Sequence, residues 1–306
     1  MFKSDFTLPS FAKINWTLRV IGRRADGLHE LQTIFQTVML HDEIRFALSD
    51  DETFSFSCDA PEVPVDESNL IYRAALLLRE FYKIKQGASV HLKKRIPVQG
   101  GLGGGSSNAA VALLGLARLW KLDLKVAELA KIGAHLGADV PFFLMGGTAL
   151  GVGSGTELSP LPDIAQRYLL IVTPAVKIST AEAYKALNAA ALTKSSEDII
   201  LSISHAVQQF ADSFPQNLHN DFEPVIFRLQ PEIERVKKAL LMSGARRALL
   251  SGSGSSVFAI FDNEQARERF RRDALRAETS WRIFPCATLS RAQYFAALER
   301  VNNGPC

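Results

Sequence analysis

The amino-acid sequence predicts an α+β protein of two domains, on three observations. The 306 residues suffice for two domains that each bury a core. The first half is rich in strand patterns that lead into a strand–loop–helix unit, whereas strands alternate with helices in the second half and suggest a split β-α-β sandwich. A glycine-dense segment at 146–162 resembles a linker. We therefore expect domains at 1–160 and 161–306.

In the first half, alternating apolar and polar residues predict strands over 11–21, 32–48 and 53–58, with a turn at Asp26-Gly27. Helical spacing predicts a helix over 68–82, a second from the glycine loop to about Trp120, and a third over 126–137 that ends at Gly137. A strand over 88–96 leads into the loop.

In the second half, an apolar run predicts a buried strand at 168–174, followed by helices at about 180–190 and 195–210. A helix over 231–244 precedes a strand–turn–strand unit at 247–261. A helix over 263–275, a strand near 281–290 and a frayed tail at 302–306 complete the chain.

Composition narrows the class of protein. Hydrophobic residues make up 47% and charged residues 22% of the chain. The net charge is +3, and the sequence contains no long run of residues with the same charge. This distribution argues against an arm that binds nucleic acid or a membrane. Cys58, Cys286 and Cys306 are odd in number and far apart, which suits a reducing compartment. No signal peptide or membrane span is recognisable, so we expect a cytoplasmic enzyme.

The glycine loop is the strongest functional signal. Five glycines occupy six positions over 100–105 and precede Ser106, Ser107, Asn108 and a long apolar run. Glycine leaves the backbone free to approach a ligand, and the two serines and Asn108 are suitable caps for the helix that follows. A helix N-terminus attracts anions, so the loop predicts a phosphate site; a plain surface turn is the alternative. The loop has neither the lysine of a Walker A motif nor the G-x-G-x-x-G pattern.

Three further residues could carry chemistry. Strand alternation places Lys13 on one face with Asn15 and Thr17, although the pattern alone favours an exposed lysine at a sheet edge. Asp139 has apolar neighbours and needs a cation or hydroxyl nearby, unless it merely caps a helix or turn. If Lys13 were its partner, the pair could take a proton from an alcohol, but sequence spacing does not establish this. His29 could bind a ligand or be an ordinary surface histidine.

Two short motifs leave alternatives open. The turn SGSGSS at 251–256 is either a hairpin or a second set of backbone donors near a phosphate. The acidic residues of 220–223 are more typical of helix caps than of catalysts.

Six ordered segments resemble the GHMP kinase superfamily of small-molecule kinases. They are AKINW (12–16), RADGLHEL (24–31), the glycine loop (101–110), LGADVPFF (136–143), the motif at 220–223 and the turn at 251–254. The resemblance implies a ribosomal-protein-S5-like ATP-binding N-terminal domain, a ferredoxin-like C-terminal α/β sandwich and a site in the cleft between them. Within the superfamily, the segments are most similar to the branch that phosphorylates the 2-hydroxyl of a cytidine-diphosphate-linked methylerythritol in the non-mevalonate isoprenoid route.

The resemblance also implies a role for each matching residue. Asp139 is implied as general base with Lys13 beside it, and ATP and Mg²⁺ are implied as cofactors, with Ser106 or Ser107 as possible magnesium ligands. The implied ATP-binding residues are Asn69, Leu70, Lys94, Pro97, Gly101, Leu102, Gly103, Gly104, Gly105, Ser106 and Ser107. The implied substrate-binding residues are Asn15, Leu28, His29, Asp139, Thr180 and Tyr184.

The chain departs from the family pattern at one substrate position. Leu28 stands where the family often has a tyrosine that stacks on cytosine, so we expect weaker or rearranged cytidine binding. The expected partner is a small molecule, with no nucleic acid or membrane, and the expected state is a monomer or homodimer. The alternatives are another GHMP kinase, of the mevalonate or homoserine type, and a nucleotide-binding module without activity.

Overall fold

A computed structural model describes residues 5–190 and 218–300 of the chain. The described residues contain two β-sheets. The larger sheet contains β1 (Asp5–Arg23), β2 (His29–Leu48), β3 (Phe54–Cys58), β4 (Ala88–Lys93), β5 (Thr148–Gly153), β6 (Glu157–Pro160) and the short β8 (His219–Asn220). Its order is β3-β4-β2-β1-β8, and β5 pairs with both β2 and β6.

The long antiparallel pair β1 and β2 forms the centre of this sheet. Lys13 lies opposite Thr37 and Asn15 opposite Phe35. The register shifts near Asn15, so the strands bend where they pass the site. The predicted alternation is confirmed, because Ile14 and Trp16 are fully buried on the face opposite Lys13.

Four helices accompany the larger sheet: α1 (Leu70–Tyr82), α2 (Gly104–Leu119), α3 (Val126–Ala134) and α4 (Val140–Met145). Helix α2 is apolar on nearly all sides and lies in the middle of the first hydrophobic core. Gly115 permits its close approach to the sheet, because a Cβ atom there would lie 2.3 Å from Phe46 Cζ. The core therefore fixes the helix that follows the glycine loop.

The smaller sheet has the topology predicted for the second half. Its strands are β7 (Tyr168–Thr173), β9 (Arg247–Leu250), β10 (Val257–Phe261) and β11 (Arg282–Ala287), all antiparallel in the order β11-β7-β10-β9. Helices α5 (Thr180–Leu187), α6 (Glu223–Leu229), α7 (Pro231–Met242) and α8 (Glu264–Ala277) lie between them in the chain. This is the split β-α-β arrangement of a ferredoxin-like sandwich.

The two sheets share a core. Alternate residues of β7 face opposite ways: Leu170 packs among the helices, whereas Leu169 and Ile171 pack against Ile14 and Trp16 of β1. Helix α9 (Arg291–Glu299) returns to the larger sheet, where Tyr294 is fully buried in the first core. The chain therefore crosses more than once between the two halves, and the boundary near residue 160 stays a prediction.

Several elements differ from those predicted. Most of the segment 146–162 is the pair of strands β5 and β6, not a linker. Helices α4, α6 and α9 were not predicted, and α3 ends at Ala134, before Gly137. The predicted helix at 195–210 and the tail at 302–306 lie outside the described residues. In the parts of the chain that the structure describes, no helix has the length and apolar character needed to cross a membrane.

Candidate active site

A cleft of about 1180 Å³ runs between the glycine loop, the β1–β2 pair and helix α5. It has the size of a small-molecule site. The predicted site residues that line it are Lys13, Asn15, Leu28, His29, Asn69, Leu70, Lys94, Pro97, Gly101, Leu102, Gly103, Gly104, Gly105, Ser106, Asp139, Thr180 and Tyr184. Of the predicted residues, Ser107 is the one that does not line it.

Lys13 and Asp139 meet at this cleft. The Lys13 Nζ lies 3.5 Å from Asp139 Oδ2 and donates a hydrogen bond of 2.8 Å to Asn15 Oδ1. Lys13 is 5% exposed and its ammonium lies over the ring of Phe35, so the interpretation as an exposed edge lysine is wrong. Asp139 is the residue before α4, and its half-buried carboxylate does not cap that helix. The pair therefore places a fixed cation beside an accessible carboxylate.

Asn15 connects Lys13 to two other parts of the protein by hydrogen bonds. Its amide donates to Thr33 Oγ1 at 2.7 Å, and Thr33 donates to the Thr17 carbonyl at 2.7 Å. Its Oδ1 also accepts from the Gly252 N–H at 3.1 Å. Asn15 thus joins both sheets beneath the ion pair.

The glycine loop ends at the N-terminus of α2, as predicted, but glycine rather than serine stands at the cap. Gly103 has φ +69°, and neither Ser106 nor Ser107 caps, because both already lie in the first turn. The N–H groups of Gly104, Gly105 and Ser106 have no partner within the helix and form the positive end of its dipole. This arrangement suits a phosphate group.

The predicted phosphate contact of Ser107 is not supported by its position. Ser107 is fully buried, its hydroxyl is 2.8 Å from Ser10 Oγ, and its N–H donates to the Gly103 carbonyl. Helical geometry turns consecutive residues by about 100°, so Ser106 faces the cleft while Ser107 faces the core. Of the two serines, Ser106 remains the candidate for contact with a phosphate group.

The second glycine turn supports the first loop. Ser251 Oγ donates to the Gly101 carbonyl at 3.0 Å, and the Ser256 N–H donates to the Gly100 carbonyl. The approach is so close that a Cβ atom on Gly101 would lie 2.0 Å from the Ser251 carbonyl oxygen. The N–H groups of Gly252 and Gly254 donate within the protein, which favours the hairpin interpretation over a second phosphate cradle.

The motif at 220–223 fixes this turn in place. Asn220 donates to the carbonyls of Leu250 and Gly252, both at 2.8 Å. Glu223 accepts from the Leu250 N–H at 3.0 Å and forms an ion pair with Lys237. These polar residues are structural supports of the site.

At the far end of the cleft, the His29 and Tyr184 rings lie 4.6 Å apart. Burial, with a smaller contribution from nearby Arg23, lowers the pKa of His29. Burial, assisted by the Asp139 charge, raises the pKa of Tyr184 to about 12, so its hydroxyl stays protonated at neutral pH. Leu28 is 53% exposed, and Thr180 Oγ1 lies 3.3 Å from Ser253 Oγ.

Two of the predicted ATP-binding residues, Asn69 and Lys94, lie beside the loop. Asn69 caps α1 by accepting from the Ile71 N–H, and its amide donates to the Pro64 carbonyl. Lys94 is paired with Asp42, whose side chain is fully buried. Sequence reasoning missed Asp42, because a single aspartate within a strand pattern carries no local signal of its partners.

In the ranges 5–190 and 218–300, no group of three or more His, Cys, Asp or Glu side chains could hold a metal ion. In phosphoryl-transfer sites, Mg²⁺ is held by substrate phosphates together with protein carboxylates or a Ser or Thr hydroxyl. The Ser106 hydroxyl at the phosphate end of the cleft fits that requirement.

Comparisons with known proteins agree with this geometry. Residues 69–147 match the GHMP kinases N terminal domain, and residues 199–278 match the GHMP kinases C terminal domain. The two-sheet fold and the lysine–aspartate pair beside a glycine loop accordingly define a GHMP-type small-molecule kinase.

More specific relatives are found within this superfamily. The 4-diphosphocytidyl-2-C-methyl-D-erythritol kinases of Moorella thermoacetica and Lachnoclostridium phytofermentans are 42% and 40% identical over 85% and 86% of this chain, and 92% and 90% of their own length. A crystal structure of 4-(cytidine 5'-diphospho)-2C-methyl-D-erythritol kinase has a TM-score of 0.73 at 32% identity, covering 92% of this chain and 98% of that one. The chain belongs to the 4-diphosphocytidyl-2-C-methyl-D-erythritol kinase family.

More distant structures share the fold alone. Homoserine kinase from Cytophaga hutchinsonii is 22% identical with a TM-score of 0.69 and covers 95% of this chain and 96% of that one.

Proposed function

We propose that this chain uses ATP to phosphorylate the 2-hydroxyl of 4-diphosphocytidyl-2-C-methyl-D-erythritol, a step towards isoprenoid precursors. Its relatives are named as kinases of that compound. The observation that carries the proposal is the Lys13–Asp139 ion pair of 3.5 Å at the edge of a glycine-loop cleft. Among the described residues, no specific contact favours homoserine or mevalonate as the acceptor.

Asp139 is proposed as the general base. An alcohol does not ionise at neutral pH, so its proton must leave as the phosphoryl group arrives, and a positioned carboxylate can accept it. Lys13 lies beside Asp139 in the cleft, where its ammonium stabilises negative charge that develops on the attacking oxygen. Asn15 holds that ammonium in place.

The glycine loop is proposed to hold the triphosphate. The free N–H groups at the start of α2 donate to phosphate oxygens, while Asn69, Leu70 and Lys94 receive the adenine end. Bound Mg²⁺ would neutralise phosphate charge, with Ser106 as its protein ligand. The chain then contributes position and electrostatics to the transfer.

The His29–Tyr184 pair is proposed to receive the cytidine end, with Thr180 nearby. Leu28 offers an apolar side chain but no ring, so one aromatic face is missing from the stack. A cytoplasmic location, a monomeric or homodimeric state and the absence of nucleic-acid and membrane partners stay predictions.

Asp139→Asn tests the proposal directly. The amide cannot accept a proton, so kcat should fall by about 10²–10⁴-fold while the KM values for ATP and acceptor change little. Asp123→Asn is the control, because Asp123 is exposed and does not line the cleft. Product formation is measured by phosphorus NMR with the cytidine acceptor, mevalonate and homoserine. Full activity of Asp139→Asn contradicts the assigned base, and turnover of only the non-nucleotide acceptors contradicts the assigned substrate.

A further inference from the structure

A fully buried carboxylate, Asp42 of β2, lies behind the glycine loop. Its Oδ2 accepts from Lys94 Nζ at 2.6 Å and from Asn108 Nδ2 at 2.9 Å. Its Oδ1 accepts from the N–H groups of Arg95 and Ile96 at 2.7 and 2.8 Å. Four donors from two other segments therefore converge on one carboxylate, which saturates its acceptor capacity.

One of these donors, Asn108, connects Asp42 to the first turn of α2, where the free N–H groups lie. The Asn108 amide bridges Asp42 and Ser10 Oγ, which it reaches at 2.9 Å. Ser10 Oγ is in turn 2.8 Å from Ser107 Oγ in the first turn of α2. The network thereby holds the first two turns of α2, the first of which carries the free N–H groups.

Lys94 brings a positive charge to the same turn. A Cβ atom on Gly104, the first residue of α2, would lie 3.1 Å from Lys94 Nζ. This ammonium lines the cleft but its side chain is only 7% exposed. An ammonium so close to the positive end of a helix dipole is unfavourable unless a negative charge compensates it. Asp42 supplies that charge from the protein side of the loop.

Burying an ion pair costs desolvation energy and contributes little net stability, so its value lies in fixing a geometry. We propose that Asp42 is a positioning residue for nucleotide binding: it holds the Lys94 ammonium and the first turns of α2 in the arrangement that receives the triphosphate. Asp42 is fully buried and does not line the cleft, so it acts without touching the nucleotide. The proposal rests on the proposed function only in that ATP binds in this cleft.

Asp42→Asn is the direct test. The amide keeps the shape and can still accept from the two backbone N–H groups, but its NH₂ group would face the Lys94 ammonium and the Asn108 amide. We expect the Kd for a non-hydrolysable ATP analogue with Mg²⁺ to rise about tenfold, roughly the loss of one charge-assisted hydrogen bond. The KM for the acceptor should stay within about twofold. Binding is measured by calorimetry on the full chain without acceptor. The result for nucleotide binding therefore remains valid even if the proposed acceptor is wrong.

Glu43→Gln is the matched control. Glu43 is the next residue of β2, and its carboxylate pairs with the exposed side chains of Arg95 and Lys93 instead of the buried network. It removes one negative charge from the same strand, and we expect nucleotide affinity within about twofold of the parent.

A double-mutant cycle separates positioning from general stability. In a Lys94→Met background only the link through Asn108 is left to lose, so Asp42→Asn should raise the Kd by only about threefold. A full tenfold effect in that background, or an equal rise in Kd for nucleotide and KM for acceptor, would overturn the proposal.

If Asp42→Asn does not fold, a second variant, Asn108→Ser, tests the same proposal. Asn108→Ser cuts the link to α2 while leaving the Asp42–Lys94 pair, and it should raise the nucleotide Kd by about threefold or more. An unchanged Kd in a folded Asn108→Ser protein would also overturn the proposal.

Discussion

Replacing Gly103 with alanine tests whether the backbone of the glycine loop determines the position of Lys13. Gly103 has φ +69°, in the left-handed region. A Cβ atom there would lie 2.7 Å from Phe143 Cζ and 3.0 Å from Lys13 Cγ. The new methyl group therefore meets a buried ring on one side and the stem of the proposed catalytic lysine on the other.

The cost follows from two separate effects. The left-handed conformation costs a non-glycine residue about 1–2 kcal/mol, and forcing a methyl group into a packed site costs about 1–3 kcal/mol. We therefore expect Gly103→Ala to lower the free energy of unfolding by about 2–5 kcal/mol. Displacement of Lys13 should also lower kcat by at least about tenfold, because the ion pair with Asp139 would lose its geometry.

Gly105→Ala is the control from the same loop. Gly105 does not have a positive φ, and the nearest atom to a Cβ there is Leu70 Cδ1 at 4.0 Å. Alanine should fit and leave stability unchanged or raised by up to about 1 kcal/mol. Urea unfolding of the two unliganded variants measures the change in the free energy of unfolding for each. Equal midpoints for Gly103→Ala and the parent, or equal losses in both variants, would refute the reasoning.

Two further predictions concern the cytidine end. Leu28→Tyr should lower the KM for the cytidine acceptor about two- to tenfold by restoring an aromatic face, and an unchanged KM in steady-state assays would contradict this. Because burial lowers the pKa of His29 below its usual 6.5, the unfolded chain takes up the proton first as pH falls. The contribution of neutral His29 to stability is therefore present above about pH 6.5 and is lost as pH falls through the lower folded pKa. Between about pH 7.5 and 5.5, the urea midpoint should fall more for the parent than for His29→Gln, whereas equal falls would contradict the assignment.

Most elements of the fold could be predicted, because their patterns are local. The alternation of β1 and the apolar spacing of α1 and α2 depend on neighbours within a few residues, and each was found near its predicted range. The segment 146–162 misled the prediction because its glycines suggest a linker. They serve strand packing instead, since a Cβ atom on Gly151 would lie 2.6 Å from Phe35 Cε2.

The supports of the site could not be predicted. Asp42 lies in a strand and belongs to no recognised motif, and the motif that contains Asn220 did not indicate its partners, yet each accepts or donates hydrogen bonds to segments distant in the chain. The family resemblance implied that Ser107 binds the phosphate together with Ser106, whereas the helix turns Ser107 towards Ser10. Short-range patterns do not specify which face of a helix the rest of the protein covers.

By itself the sequence determined the class of fold, the glycine loop and the residue types available for phosphoryl transfer. Tertiary structure alone decided that Lys13 is buried and meets Asp139, that the second glycine turn supports the first, and that Asp42 compensates Lys94. The physical reason is the distance along the chain over which each interaction acts. Backbone conformation responds to adjacent side chains, whereas a buried charge depends on groups brought together only when the two sheets pack.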